Sequence, residues 1–166
     1  MKILAERRLG IKLNNVKRRI IKIALIILSI VLGLFFFYFN NTRLVDKKTR
    51  NFYSKLKNAL VQKGFSSSLL VISTKRAKWH NAILVKLSGA AKDSRHLKDD
   101  AIDFIVFDVN NDGKSDGLDV DIVFEILDKD IIKGSGGIGT YKNEKSFVDR
   151  QMIHIDCRGY KARWAR

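Results

Sequence analysis

The chain has 166 residues, 46% of them hydrophobic, with 32 Lys/Arg against 17 Asp/Glu and a formal net charge of +15. That length bounds it to one modest domain plus an appendage. The single cysteine, Cys157, excludes an intrachain disulfide, and the absence of proline leaves the turns to Gly, Asn and Asp.

The first 22 residues hold eight Lys/Arg against one Glu. From Ile23 to Thr42 no residue is charged. A helix needs roughly 20 such residues to cross the hydrocarbon core. Lys17, Arg18, Arg19 and Lys22 stand just before the run, and such a cluster stays on the cytoplasmic side. The pattern predicts a basic cytoplasmic segment over 1–22, a transmembrane helix over 23–42 and an extracytoplasmic domain over 43–166. The expected location is therefore the cell membrane, single-pass, with the N-terminus inside. A cleaved signal peptide would need a small-residue cleavage site, and Phe35-Phe36-Phe37-Tyr38-Phe39 offers none. About half of the net charge belongs to the leading segment and is explained by topology and by attraction to lipid head groups. The remaining basic residues fit a solvated surface, or contact with an acidic wall polymer, better than nucleic acid, which is not expected as a partner.

Phe52, Leu56, Leu60 and Val61 predict one apolar face of a helix over 43–64, ending at Gly64. Leu69-Leu70-Val71-Ile72 predicts a buried strand. His80, Ile83, Leu84 and Leu87 have helical spacing. Ala101 to Val109 reads as a strand, Val120 to Leu127 as a helix, Gly134 to Gly139 as a turn and Val148 to Cys157 as a closing strand. This order suggests an α+β domain with a small antiparallel sheet and packed helices.

His96, Asp103 seven residues on, and His154 near the C-terminus can supply three ligands to one zinc ion. Three protein ligands leave a fourth position for water, the arrangement of a catalytic site. Asp103 lies within an apolar strand, where a buried carboxylate needs a partner. From spacing alone it serves equally as a solvent-facing strand residue. His80 reads as a helix histidine near Asn81 rather than a fourth ligand, and Trp79 and Trp164 as core or rim aromatics.

Asp108, Asn110, Asp112, Lys114 through its carbonyl, Asp116 and Asp119 match the spacing of a calcium loop, with Gly113 at the sixth position. Asp119 stands where Glu is usual, as in dockerin loops. The alternative is a solvated turn joining the Asp103 strand to the next helix.

Ser94-Arg95-His96-Leu97 followed by Ala101-Ile102-Asp103 resembles the S-x-H-x-x-G-x-A-x-D signature of zinc D-alanyl-D-alanine carboxypeptidases and related murein endopeptidases. Gly136 to Tyr141, then Met152 to Asp156, Arg158-Gly159 and Arg163-Trp164, is similar to the closing block of that family. Ser73 to Arg76 with His80-Asn81 resembles its S-x-x-R…H-N segment. The resemblance implies a Hedgehog/D,D-peptidase-like fold, zinc held by His96, Asp103 and His154, and hydrolysis of amide bonds in peptidoglycan stem peptides. It also implies that Arg76 contacts the substrate carbonyl or terminal carboxylate. Two positions depart from the family pattern. Gln151 stands where Glu or Asp is the usual general base, leaving Asp156 as first replacement and Asp149 as second. Asp156 could instead orient a ligand. Asp99 stands where glycine is usual. A catalytically inactive peptidoglycan-binding module of the same fold is the alternative these departures raise.

Overall fold

The computed structural model describes residues 2–39, 41–142 and 150–166. Of residues 2–15, Phe36, Tyr38, Phe39 and Ser88 it describes the backbone alone. The chain forms two compact units, divided between Tyr38 and Phe39.

The first unit is one helix, α1 (Lys2–Phe39). Its apolar side chains, including Ile23, Leu28 and Phe35, are exposed. Among the described residues no helix is long and apolar enough to cross a membrane. The expected span over 23–42 coincides with the last part of α1 as far as Phe39. The remainder of the expected span touches Asn40, outside the described residues, and Thr42, which belongs to a 3-10 turn (Thr42–Leu44) rather than to the helix.

The second unit is α+β. Helix α2 (Lys47–Gln62) starts on Asp46, whose carboxylate accepts from the Lys48 amide. It buries Phe52, Leu56 and Leu60, but Val61 lies on the solvent side, 62% exposed. Strand β1 (Leu69–Ser73), helix α3 (Lys78–Ser88), strand β2 (Ala101–Val106) and helix α4 (Gly117–Ile126) follow. A π-helical turn (Leu127–Ile132) extends α4, and β3 (Gly137–Tyr141), β4 (Met152–Asp156) and β5 (Ala162–Ala165) complete the chain. Val148 and Asp149, expected at the start of the closing strand, lie outside the described residues.

The strands form one sheet in the order β1-β2-β4-β3-β5. It is mixed, which corrects the expectation of an antiparallel sheet: β5 runs parallel to β3. Three other expectations also change. Gly137 to Gly139 are strand, not turn. β5 was not foreseen. β1 is a half-buried edge with Leu70 43% exposed, not a buried strand.

Strand side chains alternate between faces. Ile102, Phe104, Val106, Ile138, Ile153 and Ile155 point to one face and pack with Phe52, Leu56 and Leu60 of α2 and Val120 and Val123 of α4. The residues between them, Asp103, His154, Asp156, Gly137 and Gly139, share the other face. The apolar alternation that builds the core therefore gathers the polar set on the opposite side.

Candidate metal centre

The strand register sets Ser73, Asp103, His154, Gly139 and Trp164 in one row across all five strands. A β-bulge at Ile72 brings Ser73, not Ile72, opposite Asp103. Bulges re-aim side chains in this way, and here one turns a hydroxyl toward the row. His96 arrives from outside the sheet, on a 3-10 turn (Arg95–Lys98).

The ligand atoms of His96, Asp103 and His154 lie within 4.8 Å of one another, and all three residues are buried. This buried group could hold a metal ion. His96 Nδ1 donates to the Thr74 carbonyl. A carbonyl only accepts, so in the neutral ring Nε2 carries the lone pair. That Nε2 is buried and, among the described residues, has no hydrogen-bond partner, although Asp103 Oδ2 lies 2.9 Å away. Two lone-pair donors facing each other at that distance repel unless a cation lies between them or the ring takes up a proton. The donor set therefore fits a divalent ion.

His154 lies between two carboxylates: Nδ1 is 2.7 Å from Asp103 Oδ1 and Nε2 is 3.1 Å from Asp156 Oδ2. Burial would lower the His154 pKa, but hydrogen bonds to Asp103 and then Asp156 outweigh it and push the value up to about 9. Burial likewise opposes ionisation of Asp103, and the His96 charge and the His154 hydrogen bond hold its carboxyl well below the usual range. With a cation at Nδ1, the proton stays on Nε2 and is donated to Asp156, the carboxylate–histidine–metal arrangement that fixes ring orientation.

Asp156 has no exposed surface. It accepts from the Gly137 amide at 3.2 Å, the Arg158 amide at 3.0 Å and Arg158 Nε at 2.8 Å, besides Arg158 Nη2 and His154. Its lone pairs are committed to the protein. This occupancy favours orientation of His154 over proton transfer as its role. Gln151 is buried and accepts from Ser115 Oγ at 2.9 Å, so it braces the 108–119 loop.

Arg76 is half-buried beside Asp103, with Nη2 3.5 Å from Oδ2 and 3.1 Å from Ser73 Oγ. Burial lowers its pKa and the Asp103 charge opposes that. Asn81 accepts from Arg76 Nη1 at 3.3 Å and donates to the carbonyls of Ala91 and Lys92. It therefore ties the arginine to the loop that leads into His96. His80 is not among the converging ligand atoms; burial lowers its pKa, as do the charges of Arg76 and His96.

Asp99 adopts φ 58°, ψ 23°, the left-handed conformation that glycine enters freely. Its carboxylate meets Lys75 Nζ at 2.6 Å and its carbonyl accepts from the Asp46 amide at 2.7 Å. The turn before β2 keeps a glycine-like shape with aspartate in place.

Several residues of the closing block shape the site by packing that the motif alone does not assign. Gly139 has Trp164 so close that a Cβ would overlap the indole, and Gly137 is likewise filled by Asp156 and Arg158. The tight packing lets Trp164 lie 5.3 Å from the His154 ring and lets Arg158 lie over Trp164 at 5.1 Å. Only the glycine spacing could have signalled this, and it read as a turn.

The 108–119 loop is closed by its own side chains. Asp119 is fully buried and accepts from the amides of Val109, Asn110 and Asp116, the last within a capping box that starts α4. Asp108 accepts from Asp112 and Gly113, and Asp112 from Lys114. Among the described residues no second group of three His, Cys, Asp or Glu side chains converges as the His96 group does. The loop's own bonds fasten the turn that joins β2 to α4.

No family model matches the chain, and no curated protein matches it.

Proposed function

We propose that the chain is a zinc peptidase that hydrolyses amide bonds in peptidoglycan stem peptides, as D,D-carboxypeptidase or endopeptidase, held at the cell membrane by α1 with its second unit outside. The observation that carries this reading is the convergence of His96 Nε2, Asp103 and His154 Nδ1 on one buried point. Two nitrogens and one oxygen are the ligand set of an open catalytic zinc site. A bound zinc ion would supply Lewis acidity and a water of lowered pKa.

The chain's own residues supply the rest. Asp103 brings negative charge to the cation and Asp156 fixes the His154 ring. Arg76, braced by Asn81 and Ser73, offers a guanidinium to the substrate carbonyl or carboxylate beside the metal. The uncharged run from Ile23 to Thr42 and the basic flank support the anchor. A calcium ion on the 108–119 loop, held by oxygens of Asp108, Asn110, Asp112, Lys114, Asp116 and Asp119, would brace the strand that carries Asp103.

A second reading rests on a specific observation. Gln151 and Asp156 are both engaged in structural bonds, so neither is free as general base. A wall-binding module without turnover would look the same. Incubating the zinc-loaded full chain with purified muropeptides and identifying products by mass separates the two. Shortened stem peptides that vanish with His154→Ala support the peptidase. Retained binding without products supports the binding module.

A further inference from the structure

Helix α3 has two different faces. Its inner face carries Asn81, which is buried and holds Arg76 and the loop before His96. Its outer face carries Lys78, Trp79, Ala82, Ile83, Lys86 and Leu87, all exposed. Trp79 is 58% exposed, Ile83 46% and Leu87 79%. The spacing of four residues sets these three side chains on one stripe.

A scattered exposed apolar residue is unremarked on most surfaces, but a Trp-Ile-Leu stripe on one helix is a contact surface. Its chemistry selects the partner. No acidic residue occurs from Lys78 to Ser88, and two lysines flank the stripe. Interfacial helices pair an aromatic and aliphatic face with lysines that reach lipid phosphates. Tryptophan favours the head-group level.

We propose that the outer face of α3 docks on an anionic lipid surface, with Trp79, Ile83 and Leu87 at the acyl boundary and Lys78 and Lys86 on the phosphates. The helix that braces the metal site thereby rests on the membrane, which sets the site beside peptides presented at the bilayer rather than deep in the wall. The docking face stands apart from the metal ligands, so it can fail while the peptidase reading holds, and the reverse.

The test uses the full chain in vesicles of phosphatidylcholine with or without phosphatidylglycerol, some bearing brominated acyl chains. The chain has two tryptophans, so subtracting the emission of Trp79→Phe isolates Trp79. Docking gives a blue-shifted Trp79 emission that brominated lipid quenches, more strongly with phosphatidylglycerol. Lys78→Gln and Lys86→Gln each lower the docked-to-lifted ratio about fivefold. Ile83→Asp with Leu87→Asp, both exposed, abolishes quenching while circular dichroism and zinc content stay unchanged. Emission at the water-exposed wavelength with no quenching overturns the proposal. So does a blue shift without quenching that grows with protein density, which would assign the stripe to a second copy of the chain.

Discussion

His154 links protonation to metal binding. In the metal-free chain the folded value is about 9 against an ordinary 6.5. The stabilisation this gives is complete below pH 6.5, where both states hold the proton, and drains away as pH rises through 9. The urea midpoint of chelated protein is expected to fall across that window, and His154→Gln to flatten the decline. Because a cation at Nδ1 displaces the proton, zinc affinity should rise about tenfold per pH unit over the same range. Calorimetry in buffers of different ionisation enthalpy reads the released proton directly. Asp156 makes a neighbouring prediction. Asp156→Asn should weaken zinc binding about 10–100-fold by loosening the ring, measured by competition with a chromophoric chelator. Arg158→Ala removes the guanidinium from the buried Asp156 carboxylate, leaving His154 and two backbone amides, and should destabilise by about 1–3 kcal/mol in chemical denaturation. At Asp99 the sign reverses. Asp99→Gly removes left-handed strain and gives up only a half-exposed ion pair with Lys75. A gain of about 0.5–1 kcal/mol is expected.

Strands β3 and β5 meet the site through an absence of side chains. The sheet can place Trp164 against His154 only because Gly139 leaves the space. Gly139→Ala forces the indole away and should cost about 1–3 kcal/mol as overpacking. Tryptophan emission and zinc affinity should change together, because the wall of the site moves with the ring. A thermal melt that shifts while zinc affinity stays at the wild-type value would limit Gly139 to a packing role. Arg163 fastens β5 from the other face: its guanidinium bonds Asp128 at 2.6 Å, in the π-helical turn, and the Gly136 carbonyl at 2.7 Å.

The second unit has one apolar core beneath the sheet and one polar face above it, and the metal group ties them. His96 and Asp103 come from consecutive elements and His154 from a strand 51 residues beyond Asp103, so a cation binds all three only where β2 and β4 are paired. Zinc should therefore stabilise the folded chain by about 2.7 kcal/mol at a free concentration of 100 times Kd. Chelation should lower the melting temperature, and His96→Ala should abolish the difference between the two melts. Equal melts with and without zinc in the wild type would mean that the group binds no metal.

The pairing of His96 with Asp103 was legible only through the motif blocks around them, because from spacing alone an aspartate in an apolar strand serves equally as a solvent-facing residue. The alternation of Ile102, Phe104, Ile153 and Ile155 marked the core face, and with it the side on which Asp103 and His154 stand. Periodicity misled where burial depends on neighbours. Val61, Ile83 and Leu87 keep helical spacing yet face outward, and nothing in the local pattern says whether another element covers them. The parallel pairing of β5, the bulge at Ile72 and the closeness of Trp164 to Gly139 are contacts between segments distant in the chain. The same distance hid part of the saturation of Asp156: Arg158 is a local partner, but the Gly137 amide reaches it only once β3 and β4 align. Local composition sets which atoms can bind a cation. The register of the strands decides which of them meet, because a shift of one residue in β2 or β4 would send Asp103 or His154 to the opposite face.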